Sequence, residues 1–221
     1  CSSDLVGVEA LAALGAVDFL MWVVTGISTG LTQGFSIQLS QYYGAKDFEN
    51  LRKSLAHSYR LTAFIAAGVL ILSQSFTSLV LAGLHTPSNI IGISLLYLRI
   101  IFCGIPATAA YNMFASALRA MGNSKTPLTA MIIASVLNVS LDILFVAGLG
   151  WGVAGAAIAT VIAQSFSAVY CFLILRRIDI VHLTRADFMP ASGMNARLMK
   201  LGIPVVFQNI IIGVGGLVVQ Y

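Results

Sequence analysis

The feature that most constrains this chain is one acidic residue, Asp142, inside an apolar run from Leu128 to Leu149. A helix that crosses a bilayer needs roughly 20 apolar residues at about 1.5 Å rise each, so this run can span as one helix. Asn138 lies one helical turn before Asp142, and both side chains therefore share one helix face. A carboxylate at that depth is energetically costly and normally faces a partner, a cavity or a transported ion. Two interpretations remain, a buried polar contact between helices or a cation or proton site, and we favour the second.

Few charges and high hydropathy place the rest of the chain in a membrane as well. Of the 221 residues, 58% are hydrophobic and 9% are charged, and the mean hydropathy is +0.93, whereas soluble domains carry about 25% charged residues. The net charge of +4 does not indicate a nucleic-acid partner, because nearly all basic residues lie in short segments between apolar runs. The three cysteines, at positions 1, 103 and 171, have no metal-binding spacing, so we expect no disulfide framework, metal site or cofactor. The predicted fold class is an all-α integral membrane protein, a polytopic helix bundle.

Turn signals divide the apolar sequence into five predicted helices and the start of a sixth. The five cover about 10–42, 48–81, 88–121, 127–148 and 152–175, and the sixth begins around Ile203-Pro204. Gly104 and Pro106 predict a kink in the third helix. The one long polar segment, 176–200, is predicted to be a linker. We expect residues 1–5 to be an assembly artefact, because they match what the end of a common sequencing adaptor encodes, and residues 201–221 to be a truncated segment.

The first predicted helix combines close-packing glycines with a polar stripe. Gly26, Gly30 and Gly34 repeat every four residues, the pattern that lets membrane helices approach closely. The candidate cavity-lining residues lie at helical spacing and are Thr25, Thr29, Thr32, Gln33 and Ser36. Such a stripe either lines a water-filled cavity or makes hydrogen bonds with neighbouring helices, and the sequence leaves both possibilities open.

The basic residues predict how the helices are oriented. Eleven of the twelve lie in or beside alternate connections, and they are Lys46, Arg52, Lys53, Arg60, Arg119, Lys125, Arg176, Arg177, Arg185, Arg197 and Lys200. The other two connections, 83–87 and 148–152, carry no Lys or Arg. By the positive-inside rule the basic side is cytoplasmic, which leaves the N-terminal end outside and requires one further helix upstream.

Several short motifs, taken in their order and spacing, resemble the MATE (multidrug and toxic compound extrusion) transporters. The sequence Gln-x2-Gln-Tyr-Tyr-Gly-Ala-Lys-Asp at 38–47 looks like the cytoplasmic end of the second helix of that family. Residues 117–127 look like the end of the fourth helix, and Asn138-x3-Asp142 and 152–160 resemble the fifth and sixth. Residues 200–204 look like the start of a second lobe, so the match covers nearly the whole chain from about residue 6.

The resemblance implies two six-helix lobes around a central cavity that opens alternately outward and inward. Residues 6–175 would then supply the second to sixth helices of the first lobe. Residues 176–200 would be the cytoplasmic linker between the lobes, and 201–221 the start of the seventh helix. The first helix and most of the second lobe would lie outside this chain.

The resemblance also implies a cation site in the first lobe. There an Asn-x3-Asp pair on the fifth helix acts with a Thr on the sixth, which match Asn138, Asp142 and Thr160. An Asn of the fourth helix corresponds to Asn112, and a first-helix Asp that completes the site would lie upstream. The depths of these residues in the membrane support placing them in one site, independently of the resemblance. Asp142 lies about six residues, ~9 Å, from the outer end of its helix, and Thr160 lies about eight residues, ~12 Å, into the next helix. Antiparallel neighbours with those depths can meet.

The implied function is a secondary active antiporter that exports organic, often cationic, compounds in exchange for Na⁺ or H⁺. The runner-up is a lipid-linked oligosaccharide flippase of the same superfamily, whose pyrophosphate cargo favours basic residues along the cavity. Inside the predicted spans this chain offers only Arg99, which favours drug export.

Two further classes fit less well. A membrane-embedded enzyme would need clustered His, Cys, Asp or Glu, and His57, His85 and His182 lie near helix ends or connections, His57 at the membrane interface. A purely structural subunit would not explain Asp142. The implied protein is not an enzyme, is multi-pass in the plasma membrane of a bacterium, contacts membrane lipid and a small-molecule substrate, and is a monomer when full length.

Overall fold

The computed structural model describes residues 8–83, 91–189 and 193–220, with side chains at 22, 25–77, 91–92, 94–189 and 193–212. Within these ranges every regular element is helical, which confirms the predicted all-α fold. The α-helices are α1 (Val8–Gly44), α2 (Phe48–Gly83), α3 (Ile91–Cys103), α4 (Ile105–Ala120), α5 (Lys125–Asp142), α6 (Gly152–Arg176) and α7 (Met194–Gln220). A π-helical segment, Ile143–Gly148, follows α5, and two 3₁₀ turns, Asp179–Val181 and Arg185–Phe188, lie between α6 and α7.

Four segments of the described residues are long and apolar enough to cross a membrane. They are Phe48–Thr77, Ser94–Ala120, Lys125–Gly148 and Gly152–Arg176. These segments correspond to the second to fifth predicted helices. Helix α1, with 37 residues, is also long enough at about 1.5 Å per residue, and its crossing stays a prediction.

The predicted kink in the third helix is a one-residue interruption at Gly104. Helix α3 ends at Cys103 and α4 begins at Ile105. Pro106, in the first turn of α4, has no N–H group with which to continue the hydrogen-bond ladder of α3. Gly104 also lies against α6, where an added Cβ would come within 2.8 Å of the Val161 side chain. Its small size therefore lets the interrupted helix pack closely on α6.

The last helix begins earlier than the sequence predicted. Helix α7 starts at Met194 rather than near Ile203, so the prediction is wrong and Pro204 lies inside the helix instead of opening it. Met194 and Leu198, one helical turn apart, are both buried in the main apolar core. Burial of this apolar face outweighs the polar composition of 193–200, which had indicated a linker. The two 3₁₀ turns lie in what remains of that predicted linker.

Glycines bring the backbones of α1 and α7 into direct contact. A Cβ added at Gly30 would lie 2.8 Å from the Cα atom of Val206, and one added at Gly34 would lie 2.7 Å from the backbone nitrogen of Gly202. The glycine spacing predicted a close helix approach, and the structure confirms it. The helix that approaches is α7.

His57 is buried among the described helices, a contact that the sequence did not indicate, and its position at the membrane interface stays a prediction. Its side chain is 1% exposed. Nδ1 lies 2.7 Å from Oδ1 of Asn195, and Nε2 lies 3.1 Å from the carbonyl oxygen of Met189. The early start of α7 places Asn195 against α2, so the histidine joins α2 to the chain around the beginning of α7. His182 is exposed, and His85 lies outside the described residues.

Candidate cation site

Asn138 and Thr160 lie together on neighbouring helices. Nδ2 of Asn138 is 3.5 Å from Oγ1 of Thr160, longer than the roughly 2.7–3.2 Å of most N–H···O hydrogen bonds. The Thr160 hydroxyl donates to the carbonyl oxygen of Ala156 at 3.0 Å, which leaves its oxygen available to accept from the amide. The residues are 22 apart in sequence, and they meet because α6 returns alongside α5 after a short connection.

Asp142 has one carboxylate oxygen without a hydrogen-bond partner among the described residues. This oxygen, Oδ1, is buried, although the residue as a whole is only half-buried. Asp142 is the last residue of α5 and lies one helical turn after Asn138, on the same face. Burying a polar oxygen without a partner is costly. The atom is therefore placed to accept a proton or to contact a cation.

The helix changes its winding immediately after Asp142. The sequence predicted one continuous α-helix to about residue 148, whereas Ile143–Gly148 is π-helical. The N–H group of Trp151 donates to the carbonyl oxygen of Phe145 at 2.9 Å, and the two rings stack with centroids 5.1 Å apart. Gly155 permits this packing, since an added Cβ would come within 2.9 Å of the Phe145 Cβ. π-Helical turns are rare and frequently occur at functional sites, and nothing in the sequence pattern revealed this one.

Asn112, the fourth predicted site residue, makes a separate contact. Its Nδ2 atom lies 3.3 Å from Oγ1 of Thr29, which joins α4 to α1. No hydrogen bond between described side chains joins Asn112 to Asn138, Asp142 or Thr160. The structure thus brings Asn138 and Thr160 into contact and holds Asp142 one turn away. That Asn112 belongs to the cation site stays a prediction.

The buried part of the polar stripe on α1 makes hydrogen bonds within its own helix. Thr32 is 1% exposed, and its hydroxyl lies 3.0 Å from the carbonyl oxygens of both Ser28 and Thr29. Thr29 is half-buried and, through Asn112, also contacts a neighbouring helix. This part of the stripe lies between helices.

The remaining stripe residues lie nearer the surface of the described chain. The hydroxyl of Thr25 donates to the carbonyl oxygen of Trp22 at 3.2 Å, and that of Ser36 donates to the carbonyl oxygen of Gln33 at 2.7 Å. The Gln33 side chain is exposed. Whether these residues line a water-filled cavity in the complete protein stays a prediction.

The side-chain groups around Asp142 determine which ions this region can bind. No group of three or more His, Cys, Asp or Glu side chains within the described ranges lies close enough to hold a metal ion. The available groups are one carboxylate and the neutral oxygens of Asn138 and Thr160. Oxygen donors of this kind suit hard cations, and the carboxylate also suits a proton.

Comparison with known proteins gives a consistent set of matches. The MatE family model matches residues 2–144, which is more than half of the chain. The probable multidrug resistance protein YoeA of Bacillus subtilis is 28% identical over 96% of this chain and 48% of its own length. The probable multidrug resistance protein YpnP of the same organism is 31% identical over 95% of this chain and 47% of its own length. This chain spans about half the length of these curated relatives.

A solved structure shares the arrangement of helices. It is described as the inward-facing conformation of a multidrug resistance MATE family transporter of the MOP superfamily. The TM-score is 0.85 at 24% sequence identity, and the match covers 93% of this chain and 47% of that one. At this identity the likeness concerns the fold, and it confirms the predicted helical membrane bundle.

Proposed function

Because the chain belongs to the MatE family, we propose that it forms part of a secondary active antiporter that exports organic, often cationic, compounds in exchange for Na⁺ or H⁺. YoeA and YpnP are named as probable multidrug resistance proteins, which supports drug export as the activity. The family consists of transporters, so the prediction that the chain is not an enzyme is confirmed at the family level.

The proposal concerns the complete protein, since the chain spans about half the length of its relatives. Residues 6–175 supply five helices of the first lobe in this proposal. We propose that the connection between the lobes ends where α7 starts, at Met194, and that α7 is the first helix of the second lobe. We propose that the complete protein acts as a monomer in the bacterial plasma membrane.

The observation that carries the coupling proposal is the buried Oδ1 atom of Asp142 without a hydrogen-bond partner among the described residues. A carboxylate in low-dielectric surroundings needs a neutralising proton or cation. A proton and a Na⁺ ion would compete for this oxygen. Asn138 and Thr160 would add neutral oxygen ligands for Na⁺, whereas a proton needs Asp142 alone.

Coupling requires that ion binding changes the helix packing. The π-helical segment begins at the residue after Asp142 and packs on α6 through Phe145 and Gly155. We place the conformational change there, because neutralising Asp142 removes the cost of burying its charge and favours tighter packing of α5 on α6. An ion that binds one packing better than the other shifts the population towards it. In the other packing the substrate binds more tightly, so ion entry drives substrate release.

In the same proposal, Asn112 binds the cation in only one conformation of the protein. In this structure its amide donates to Thr29 and joins α4 to α1. A change of packing that separates these helices would release the Asn112 amide nitrogen from Thr29 and let the amide oxygen turn towards the cation site. The residue would then act in one state of the transport cycle only.

The test uses the complete protein in proteoliposomes, with efflux of a fluorescent organic cation driven by a pH or Na⁺ gradient. Asp142→Asn keeps the shape and hydrogen bonding of the side chain but removes its charge, and ion-driven efflux should be lost. Asp179→Asn is the matched control, since Asp179 is exposed in a 3₁₀ turn after α6 and should tolerate the same change. Efflux by Asp142→Asn at the wild-type rate, with the same pH and Na⁺ dependence, would show that Asp142 only holds helices together.

A further inference from the structure

An apolar groove lies between α2 and α4 on the surface of the described chain. Its volume is about 350 Å³. One wall is formed by Ala63, Ala67 and Leu70 of α2, and the other includes Pro106 and Ala110 of α4. The alanines leave a channel where larger side chains would fill the space. On α2 the groove runs from Tyr59 to Leu70, which is about 16 Å of helix, or about the depth of one leaflet of a hydrocarbon core about 30 Å thick.

A second pocket of about 260 Å³ adjoins the groove at the end where α6 finishes. The two cavities share Tyr59 and Phe172 as common walls. Arg176 lines the second pocket one helical turn after Phe172, and its guanidinium carbon lies 5.7 Å from the centroid of the Phe172 ring. A single ligand can therefore reach from the apolar groove to a cationic group.

The second pocket has positive charge at Arg176, and the described acid Asp179 lies 3.8 Å from the lining residue His182 instead. No Asp or Glu is among its lining residues, and no described carboxylate lies within ion-pair distance of Arg176. Arg60 adds a further positive charge at the wall, because its Nη1 donates to the carbonyl oxygen of Phe188 at 2.9 Å. An unpaired guanidinium beside an apolar channel is complementary to a phosphate attached to an acyl chain.

Two hydroxyl groups lie where the groove meets the pocket and lack partners. Thr62 is 8% exposed, lines the groove, and its Oγ1 atom has no hydrogen-bond partner among the described residues. Tyr59 lines both cavities, and no hydrogen bond of its hydroxyl to a described residue is found. A buried hydroxyl such as that of Thr62 normally has a partner. The phosphate and ester oxygens of a glycerophospholipid would supply acceptors at this level.

We propose that this surface binds an anionic phospholipid of the cytoplasmic leaflet. The phosphate lies at Arg176, the glycerol esters lie beside Tyr59 and Thr62, and one acyl chain occupies the groove between α2 and α4. The charge distribution of the sequence predicts that the Arg176 end is cytoplasmic, and negatively charged lipids attract basic residues there. The site is independent of Asp142 and of the ion that drives transport.

The headgroup is tested with the complete protein in nanodiscs that contain phosphatidylglycerol and phosphatidylcholine with identical acyl chains. Native mass spectrometry counts the lipid that stays bound. We expect at least about a fivefold preference for phosphatidylglycerol, on the scale of one basic residue near an anionic lipid. Arg176→Gln should abolish the preference. Arg177→Gln removes the same charge from the neighbouring exposed position, which does not line the pocket, and should preserve it.

The acyl chain is tested by filling the groove. Ala67→Phe should displace the bound phosphatidylglycerol, and Ala110→Phe repeats the change from the opposite wall, in case one variant fails to fold. Val169→Phe is the control, at an exposed position of α6 outside the groove, and should retain the lipid. Added inorganic phosphate should not release the lipid, because phosphate lacks the acyl chain.

Several outcomes would overturn the proposal. Equal retention of the two lipids by the wild type would show that no anionic headgroup is recognised, and equal loss in Arg176→Gln and Arg177→Gln would show only a general effect of surface charge. Retention of the lipid by folded Ala67→Phe and Ala110→Phe would mean that the groove holds no acyl chain. Release by inorganic phosphate would identify an anion pocket only, and a cross-link that places another helix of the complete protein in the groove would identify a protein occupant.

Discussion

The contact between α1 and α7 offers a sharp test of the fold, because it depends on glycine. An added methyl group at Gly34 would lie 2.7 Å from both the backbone nitrogen of Gly202 and the carbonyl oxygen of Leu201. Backbone atoms cannot rotate away as a side chain can, so the two helices must separate. Overpacking of this kind costs about 1–3 kcal/mol, which corresponds to about 5- to 150-fold in the equilibrium between the packed and separated helices.

A disulfide between α1 and α7 can measure how closely the two helices approach. A Cβ at Gly26 would lie 4.0 Å from the Cβ of Asn209, within the roughly 3.5–4.5 Å found in disulfides. In the complete protein with its native cysteines replaced, the pair Gly26→Cys and Asn209→Cys should form a disulfide on mild oxidation. Adding Gly34→Ala should lower the yield at limiting oxidant by about fivefold or more.

Gly68→Ala is the matched control for this experiment. Gly68 lies in the membrane-spanning part of α2, and an added Cβ there would meet nothing within 4 Å. Alanine is also the better helix former, so this variant should be neutral or slightly more stable. Equal disulfide yields in Gly34→Ala and Gly68→Ala would refute the close approach of α1 and α7.

Other predictions test topology, packing and site chemistry. Cysteines placed at Ser88 and Ser124 should be labelled from opposite sides of intact cells, and labelling from one side would contradict the helix count. Gly155→Val should clash with Phe145 and lower the stability of the complete protein by about 1–3 kcal/mol, measured by unfolding in denaturant; unchanged stability would contradict the packing of the π-helical segment. Thr160→Val should weaken Na⁺-driven efflux more than Thr160→Ser, since only serine keeps the oxygen, and equal rates would exclude that oxygen as a ligand. Residues 1–221 expressed alone should give no drug resistance, and efflux by this chain alone would contradict the two-lobe proposal.

The long apolar runs and the glycine pattern were sufficient to predict much of the fold. The apolar runs predicted the membrane helices, because burial in lipid requires long uninterrupted apolar segments. Gly30 and Gly34 predicted a close helix approach, but they did not reveal that α7 is the partner. The start of α7 was missed because Pro204 suggested a helix beginning, whereas Met194 and Leu198 extend the helix by burying their side chains.

The sequence predicted part of the geometry of the candidate site. Spacing placed Asn138 and Asp142 on one face, and depth allowed Thr160 to meet them; the structure brings Asn138 and Thr160 into contact. The contact between Asn112 and Thr29 depends on how α1 and α4 pack, which no local pattern encodes. The π-helical turn after Asp142 depends on packing between Phe145, Trp151 and α6, so it is visible only once the helices are assembled.

The central claim is that Asp142 carries the coupling ion. In the most direct test, a gradient of the substrate drives movement of the ion, instead of an ion gradient driving movement of the substrate. Proteoliposomes containing the complete protein are prepared with no ion gradient, and a gradient of an organic cation is imposed. Movement of H⁺ and of Na⁺ is then followed with ion-sensitive dyes trapped in the vesicles. We predict that the wild type moves one of these ions against the flow of the organic cation. Asp142→Asn should bind the organic cation but move neither ion, and substrate-driven ion movement by Asp142→Asn at the wild-type rate would contradict the claim.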